Sequence, residues 1–251
     1  MTDGFLRPGI SRASRPSRRL TALFWVLAAS AAGSGIYRYL RSPALDLERF
    51  EIEGSRRART RDVLAVLVPY QGRNLLLLNL APISAAIEKV PWVERVTVSK
   101  ELPHGLRIAI VERTAIAFCR RGSSLYWLDT RGTVIAPYDP REAAADFPIV
   151  TAPDERLPDA AALLATLQRS FPSYAATVSE IWALSSGGFG IMDGTLRVPV
   201  EVLGIDAPEK IRALFSVKPE MDARGIQPKA IDLRFDRRVV FTGAYGGGKS
   251  V

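Results

Sequence analysis

Two residue types that carry much of protein chemistry are almost missing: the 251 residues contain one cysteine and one histidine. With Cys119 alone there is no internal disulfide, and with His104 alone there is no histidine cluster. No C-x-x-C or H-E-x-x-H spacing exists, so the usual zinc ligand sets have no counterpart here. Cys119 stands in the apolar stretch "AIAFCRRG" and reads as a small buried or edge side chain, with no histidine neighbour to activate it. His104 stands in "LPHGL", a turn signal between two strand-like runs, and reads as a turn residue. Asp129, Asp193 and Asp232 parse as turn or strand-face residues, which leaves no acid–base pair of evident purpose. The expectation is a protein that binds and does not catalyse, with no cofactor, no metal and no small-molecule substrate.

Charge of one sign is scarce in only one place. Residues 1–41 carry seven arginines against the single acid Asp3, whereas the remainder carries 27 Lys+Arg against 25 acids. Six of the eight net positive charges therefore reside in a short leading segment, and the nearly neutral body excludes a domain built to bind nucleic acid. "GAYGGGKS", residues 243–250, matches the phosphate-loop pattern G-x-x-x-x-G-K-[ST] through Gly243, Gly248, Lys249 and Ser250. Such a loop needs a following helix whose N-terminal amides donate to the phosphates, and an upstream strand ending in an acid free for Mg²⁺. The sequence supplies neither, and 244–251 reads as a flexible Gly-rich tail.

Residues 1–19 are polar and rich in Arg, Ser and Pro, without apolar periodicity, and are expected to form a disordered basic tail. "LTALFWVLAASAAGSGIY", 20–37, holds eighteen residues without a charge. As a helix it reaches roughly 27 Å, close to the roughly 30 Å of a bilayer's hydrocarbon core. Arg38 and Arg41 can snorkel, Tyr37 and Tyr39 suit an aromatic belt, and the arginines before it place the N-terminus in the cytoplasm. A cleaved signal peptide, with "ASA" at 29–31 as its cleavage site, is the competing reading. The uncharged run continues past that site to Tyr37, which favours a single-pass anchor over 20–40. Both readings carry everything after about residue 42 out of the cytoplasm.

Next comes an alternating pattern. "RFEIEGSR" sets Phe50 and Ile52 against charged residues and breaks at Gly54, a strand and a turn. "TRDVLAVLVPY" offers Thr60 as an N-cap with Val63, Leu64 and Leu67 at helical spacing; "APISAAIEKV" is a second helix with Pro82 in its first turn. "WVERVTVSK" and "LRIAIVER" are two strands joined by "LPHG". The order β-α-α-β-β over 48–113 predicts a three-stranded sheet with both helices on one face.

This run resembles the POTRA domain of the FtsQ/DivIB family of bacterial cell-division proteins. The similar features are the "F-x-I-x-G" first strand, "N-L-L" before the second helix, "P-W-V" into the second strand and "V-E-R" closing the third. Outer-membrane assembly factors carry POTRA domains too. A basic tail, one membrane helix, a single POTRA domain and a β-rich domain without a barrel form the more specific combination.

Residues 114–243 continue as a β domain. "TAIAFCRRGSSLYWLDTRGTVIAPYD" reads as a strand, a turn and a hairpin closed by "DTRG"; Thr114 stands where the family usually has proline. "DAAALLATLQRSF" is a helix, "VSEIWALSSGGFGIMDGTLRVPVEVL" holds three strand-like runs, and "APEKIRALFSVKPEMDARG" is a helix with Pro219 a candidate break. "KAIDLRFDRRVVFTG" reads as one closing strand, with Ile231, Leu233, Phe235, Val239 and Phe241 on one parity, and its "D-L-R-F" is similar to the family's terminal strand. The fold class is α+β: a transmembrane helix, a POTRA domain and a mixed β domain with two helices. The resemblance implies a non-enzymatic scaffold of the division machinery, in the inner membrane at the septum, with FtsB/DivIC- and FtsL-type membrane proteins as partners. It also implies that Arg234, Phe235, Arg237, Val239 and Phe241 form the partner-binding edge. A POTRA-containing component of secretion or outer-membrane assembly is the alternative.

Overall fold

The computed structural model describes residues 18–141, 146–204, 206–235 and 238–243, with side chains from residue 22 onward. Helix α1 (Arg18–Leu40) leads into a 3-10 turn at Pro43–Leu45 and then a small α/β unit: β1 (Arg49–Glu53), α2 (Thr60–Leu67), α3 (Ala81–Ile87), β2 (Val93–Glu101) and β3 (Gly105–Glu112). The sheet order is β1-β3-β2, with β1 parallel and β2 antiparallel to the central strand. The alternation in β3 turns Leu106, Ile108 and Ile110 to one face, where they share a core with Val63 and Leu67 of α2 and Ile83 and Ile87 of α3. Each such side chain taken fully out of water stabilises by about 1.5–3 kcal/mol. Leu64 lies outside this face and is exposed.

Two motif residues owe their identity to backbone demands. Gly54 has φ +80°, and a Cβ there would lie 2.2 Å from the Ile110 carbonyl oxygen, so the first-strand motif ends in the one residue that fits. Thr60 is the first helical residue and not the cap; Arg59 holds the cap position with no side-chain bond. The amides ahead of α2 are collected from elsewhere: Glu112 Oε1 accepts from the N–H groups of Arg56, Arg57 and Ala58, each at 2.7 Å. The acid of "V-E-R" is thus the clasp that seats the Arg-rich loop on the end of β3.

The second sheet has nine strands among the described residues. A meander opens it: β4 (Ala115–Arg121), β5 (Ser124–Asp129) and β6 (Val134–Pro137). Then come β7 (Ile149–Thr151), α4 (Leu157–Ser170), the single turn α5 (Pro172–Ala175), β8 (Val178–Ala183), β9 (Phe189–Asp193), β10 (Val200–Val202), α6 (Ala207–Ala223), β11 (Ala230–Asp232) and β12 (Val240–Thr242). The order is β12-β11-β10-β9-β8-β7-β4-β5-β6. Parallel neighbours need a crossover, and helices supply two: α4 and α5 link β7 to β8, and α6 links β10 to β11, whereas β4 reaches β7 through β5 and β6. The domain holds α5 as well as the two expected helices. Pro219 does not break α6, which runs on to Ala223.

The closing segment differs from its sequence reading. It is two three-residue strands paired antiparallel, not one strand. The cause is Asp232, whose Oδ1 accepts the backbone N–H of Arg234 at 2.9 Å and curls the chain out of extension. Ile231 and Phe241, read as the two ends of one strand face, become direct cross-strand partners.

The two domains share a core. Strand β4 is buried on both faces: Ala117 and Cys119 pack with α4, while Phe118 and its cross-strand partner Trp127 join the POTRA cluster. Burial pushes the Cys119 thiol pKa up, which suits an inert packing residue.

Candidate partner-binding edge

β12 is the last strand of the nine, paired with β11 on one side and with no strand on the other among the described residues. An edge of this kind leaves backbone N–H and C=O groups able to accept a strand from another chain. It is short, which limits pairing to a few residues. Val240 is 40% exposed there, and Phe235, just after β11, is 52% exposed. Val239 and Phe241 are partly buried and pack against the domain core. Arg237 lies outside the described residues.

Arg234 is committed within the domain. Its Nε and Nη2 donate to the Asp232 carboxylate at 2.9 and 2.6 Å, Nη1 donates to Ser186 Oγ at 2.6 Å, and Nη2 lies 2.8 Å from Glu201 Oε2. The hydrogen bond from Arg234 holds the Asp232 carboxyl below the usual carboxylate range, with burial opposing it, and the same bond raises the Arg234 pKa. All the nitrogens of the fork are engaged, so Arg234 braces the edge from behind. Glu201 and Ser186 went unread in the sequence; the one usable signal was an acid set among valines in "VPVEVL". Next to β11, Leu196, Val198, Met221, Ile226 and Pro228 line an open depression of about 450 Å³.

The three aspartates do one job. Asp129, Asp193 and Asp232 each end a strand, and each accepts the backbone N–H two residues on, from Arg131, Thr195 and Arg234 respectively. Each is buried and takes a further donor: Arg113, Tyr174 or the Arg234 side chain. Burial first, then Asp193, raises the Tyr174 pKa, so its hydroxyl stays a donor.

A second constellation lies at the domain junction. Trp92 of "P-W-V" has φ +71° and sets its ring at 62° to Trp127, centroids 5.6 Å apart. The Arg57 guanidinium stands over both rings, 4.7 and 4.8 Å from their centroids. Arg113 Nη1 reaches across to Asp129 Oδ2 at 2.7 Å, and Arg131 to Glu94 at 2.7 Å. Glu112 thus binds backward into the POTRA domain and Arg113 forward into the β domain.

Comparison with known proteins agrees with this architecture. Residues 45–113 match the family described as POTRA domain, FtsQ-type, and residues 117–234 match cell division protein FtsQ/DivIB, C-terminal. The chain is 27% identical over 228 residues to the cell division protein FtsQ of Geotalea daltonii, covering 86% of this chain and 82% of that protein. It is 27% identical over 206 residues to that of Myxococcus fulvus, covering 77% and 71%. With that of an Anaeromyxobacter strain it shares 26% over 249 residues, covering 92% and 83%. A POTRA domain fused through a common core to this β domain defines a cell-division protein. The chain belongs to the FtsQ/DivIB family.

Proposed function

We propose that the chain is a non-enzymatic, membrane-anchored scaffold of the division machinery that holds a partner protein by strand pairing along β12. The observation carrying this reading is the open side of β12, flanked by exposed Phe235 and Val240 and braced by the Arg234–Asp232–Glu201 network. Backbone pairing supplies the contact, Phe235 an apolar anchor, and Arg237 a charge for acidic side chains of the partner. The partners are other membrane proteins of the divisome, of the FtsB/DivIC and FtsL type, and the site of action is the septum.

The anchor is α1. Among the described residues no helix is long and apolar enough to cross a membrane. What supports a span is the sequence from 20 to 37, and the five consecutive residues Leu23–Leu27, all more than half exposed on every side of the helix. A helix apolar all round has a partner or a bilayer about it. Residues after α1 then lie outside the cytoplasm.

Photo-crosslinking tests the edge: a benzophenone side chain at Val240 or Phe235 is expected to capture a small membrane protein in dividing cells, and one at exposed Val111 is not. Equal capture at all three positions removes the edge from the proposal. Depletion tests the role: long filaments with intact envelopes are expected. Normal division with a leaky envelope would instead favour a part in outer-membrane assembly.

A further inference from the structure

The end of α1 is seated on the POTRA domain by a single side chain. Asn74 Nδ2 donates to the carbonyl of Leu40, the last residue of α1, at 2.8 Å. Its Oδ1 accepts from the N–H groups of Leu76 and Leu77 at 3.1 and 3.3 Å. The chain leaving the helix is then fastened by backbone bonds: Leu75 N–H to Leu45 C=O at 2.7 Å, Leu47 N–H to Arg73 C=O at 2.9 Å, and Gly72 N–H to Leu47 C=O at 2.9 Å. Leu45 and Leu47 are buried. These bonds set the loop bearing Leu77 beside the C-terminus of α1.

The β2–β3 turn lies at the same pole. Glu48 and Arg49 N–H groups donate to the His104 carbonyl at 2.9 and 3.2 Å, and Lys100 Nζ donates to the Leu76 carbonyl at 2.8 Å. This turn carries Leu102. Leu77 is 67% exposed and Leu102 61% exposed. A lone exposed leucine needs no explanation. Two on separate loops, both fixed beside the point where an apolar helix ends, do. Arg41 stacks 4.6 Å over the Tyr37 ring and Arg73 5.2 Å over the Tyr70 ring at this pole, cations and amphipathic rings of the kind that lie at headgroup depth. Asp46, Glu48 and Glu101 are present too, with Glu101 held by Arg107 at 2.6 Å, so the face is not strongly basic and its affinity is apolar.

We propose that this pole of the POTRA domain rests on the surface of the lipid bilayer, with Leu77 and Leu102 inserted at the headgroup–acyl boundary. The inference depends on α1 being a bilayer span. The domain is then a fixed platform on the membrane and not a tethered float, and its far pole, where β3 hands over to the β domain, is directed away from the lipid.

The full chain reconstituted in phosphatidylcholine vesicles tests it. An environment-sensitive fluorophore is placed on one cysteine at a time, at Ile36→Cys, Leu77→Cys, Leu102→Cys or Val111→Cys, in a Cys119→Ala background; Val111 is 51% exposed at the far end of β3. The vesicles carry lipid spin-labelled near the top of the acyl chain. Blue-shifted emission and loss of intensity to the spin label are expected at 36, 77 and 102, and neither at 111. If 36 is quenched while 77 and 102 behave as 111 does, the platform is overturned and the span stands. If 36 is not quenched, the span itself fails and takes the platform with it.

Discussion

Replacing Asp129 by alanine removes three hydrogen bonds at once: from the Arg131 N–H at 2.9 Å, the Thr133 N–H at 2.7 Å and Arg113 Nη1 at 2.7 Å. The carboxylate is buried, and its side chain is 4% exposed against 21% for Arg113. Deleting one member of a buried pair costs about 3–5 kcal/mol, because the other charge is left uncompensated. Water can reach the Arg113 guanidinium from its exposed side, which places Asp129→Ala at the lower end, about 3 kcal/mol. Arg113→Ala leaves the carboxylate with its two amides and loses one charge-assisted bond, about 1.5–3 kcal/mol. Because the two residues touch, the double variant should fall short of the sum by about 1–2 kcal/mol. The assay is urea unfolding of the full chain in micelles, followed by tryptophan emission. Trp92 and Trp127, 5.6 Å apart across the junction, report on separation of the domains. One cooperative transition is expected for the unaltered chain, since Phe118 and Trp127 belong to the POTRA core. Strictly additive effects of the two substitutions, or midpoint shifts worth less than about 0.5 kcal/mol, would refute a junction held by this pair.

Glu112→Ala should destabilise by about 2 kcal/mol, since three amides lose their acceptor, whereas Glu112→Gln keeps an oxygen in place and should cost less; urea midpoints compare them. Gly54→Ala combines positive φ with a clash against a carbonyl and should cost roughly 1–3 kcal/mol or more, read as a lower thermal midpoint. The folded-state pKa of Asp232 lies below its unfolded value, so its contribution is fully present above about pH 4 and is lost as the pH falls through the folded value. Protection factors of the β11 and β12 amides, corrected for the intrinsic pH dependence of exchange, should therefore fall on acidification, and Asp232→Asn should flatten that dependence.

Where the pattern was local, the sequence could be read. Alternation in 93–112 sufficed for β2 and β3, and helical spacing sufficed for α2 and α3, because each element has one wet face and one dry face. β4 was legible as a strand but not as a partition: an apolar run looks the same whether one face or both are buried, and only the fold shows that Phe118 and Cys119 face different cores. The motifs named the right residues without their tasks. Gly54, Asn74, Trp92 and Glu112 turn out to satisfy particular backbone or junction demands, all through partners distant in sequence or through backbone geometry. The terminal segment was misread because period-2 spacing continues across a connection with an odd number of residues, as the seven of 233–239 are. Arg234 reads as a partner-facing residue because Glu201 of β10 and Ser186 of the β8–β9 turn, which engage it, are distant in sequence.

The strand order has a consequence of length. β6 lies at one end of the nine-stranded sheet, with Ile135 and Ala136 packed against the POTRA core, and β12 lies at the other. At about 4.8 Å per strand the two ends stand roughly 38 Å apart along the sheet. A bound segment touching both β6 and β12 would need about eleven extended residues, or about twenty-five in a helix, merely to cover that gap. Anything shorter engages one end only, so the sheet acts as a spacer across which two different proteins can be held at once without meeting.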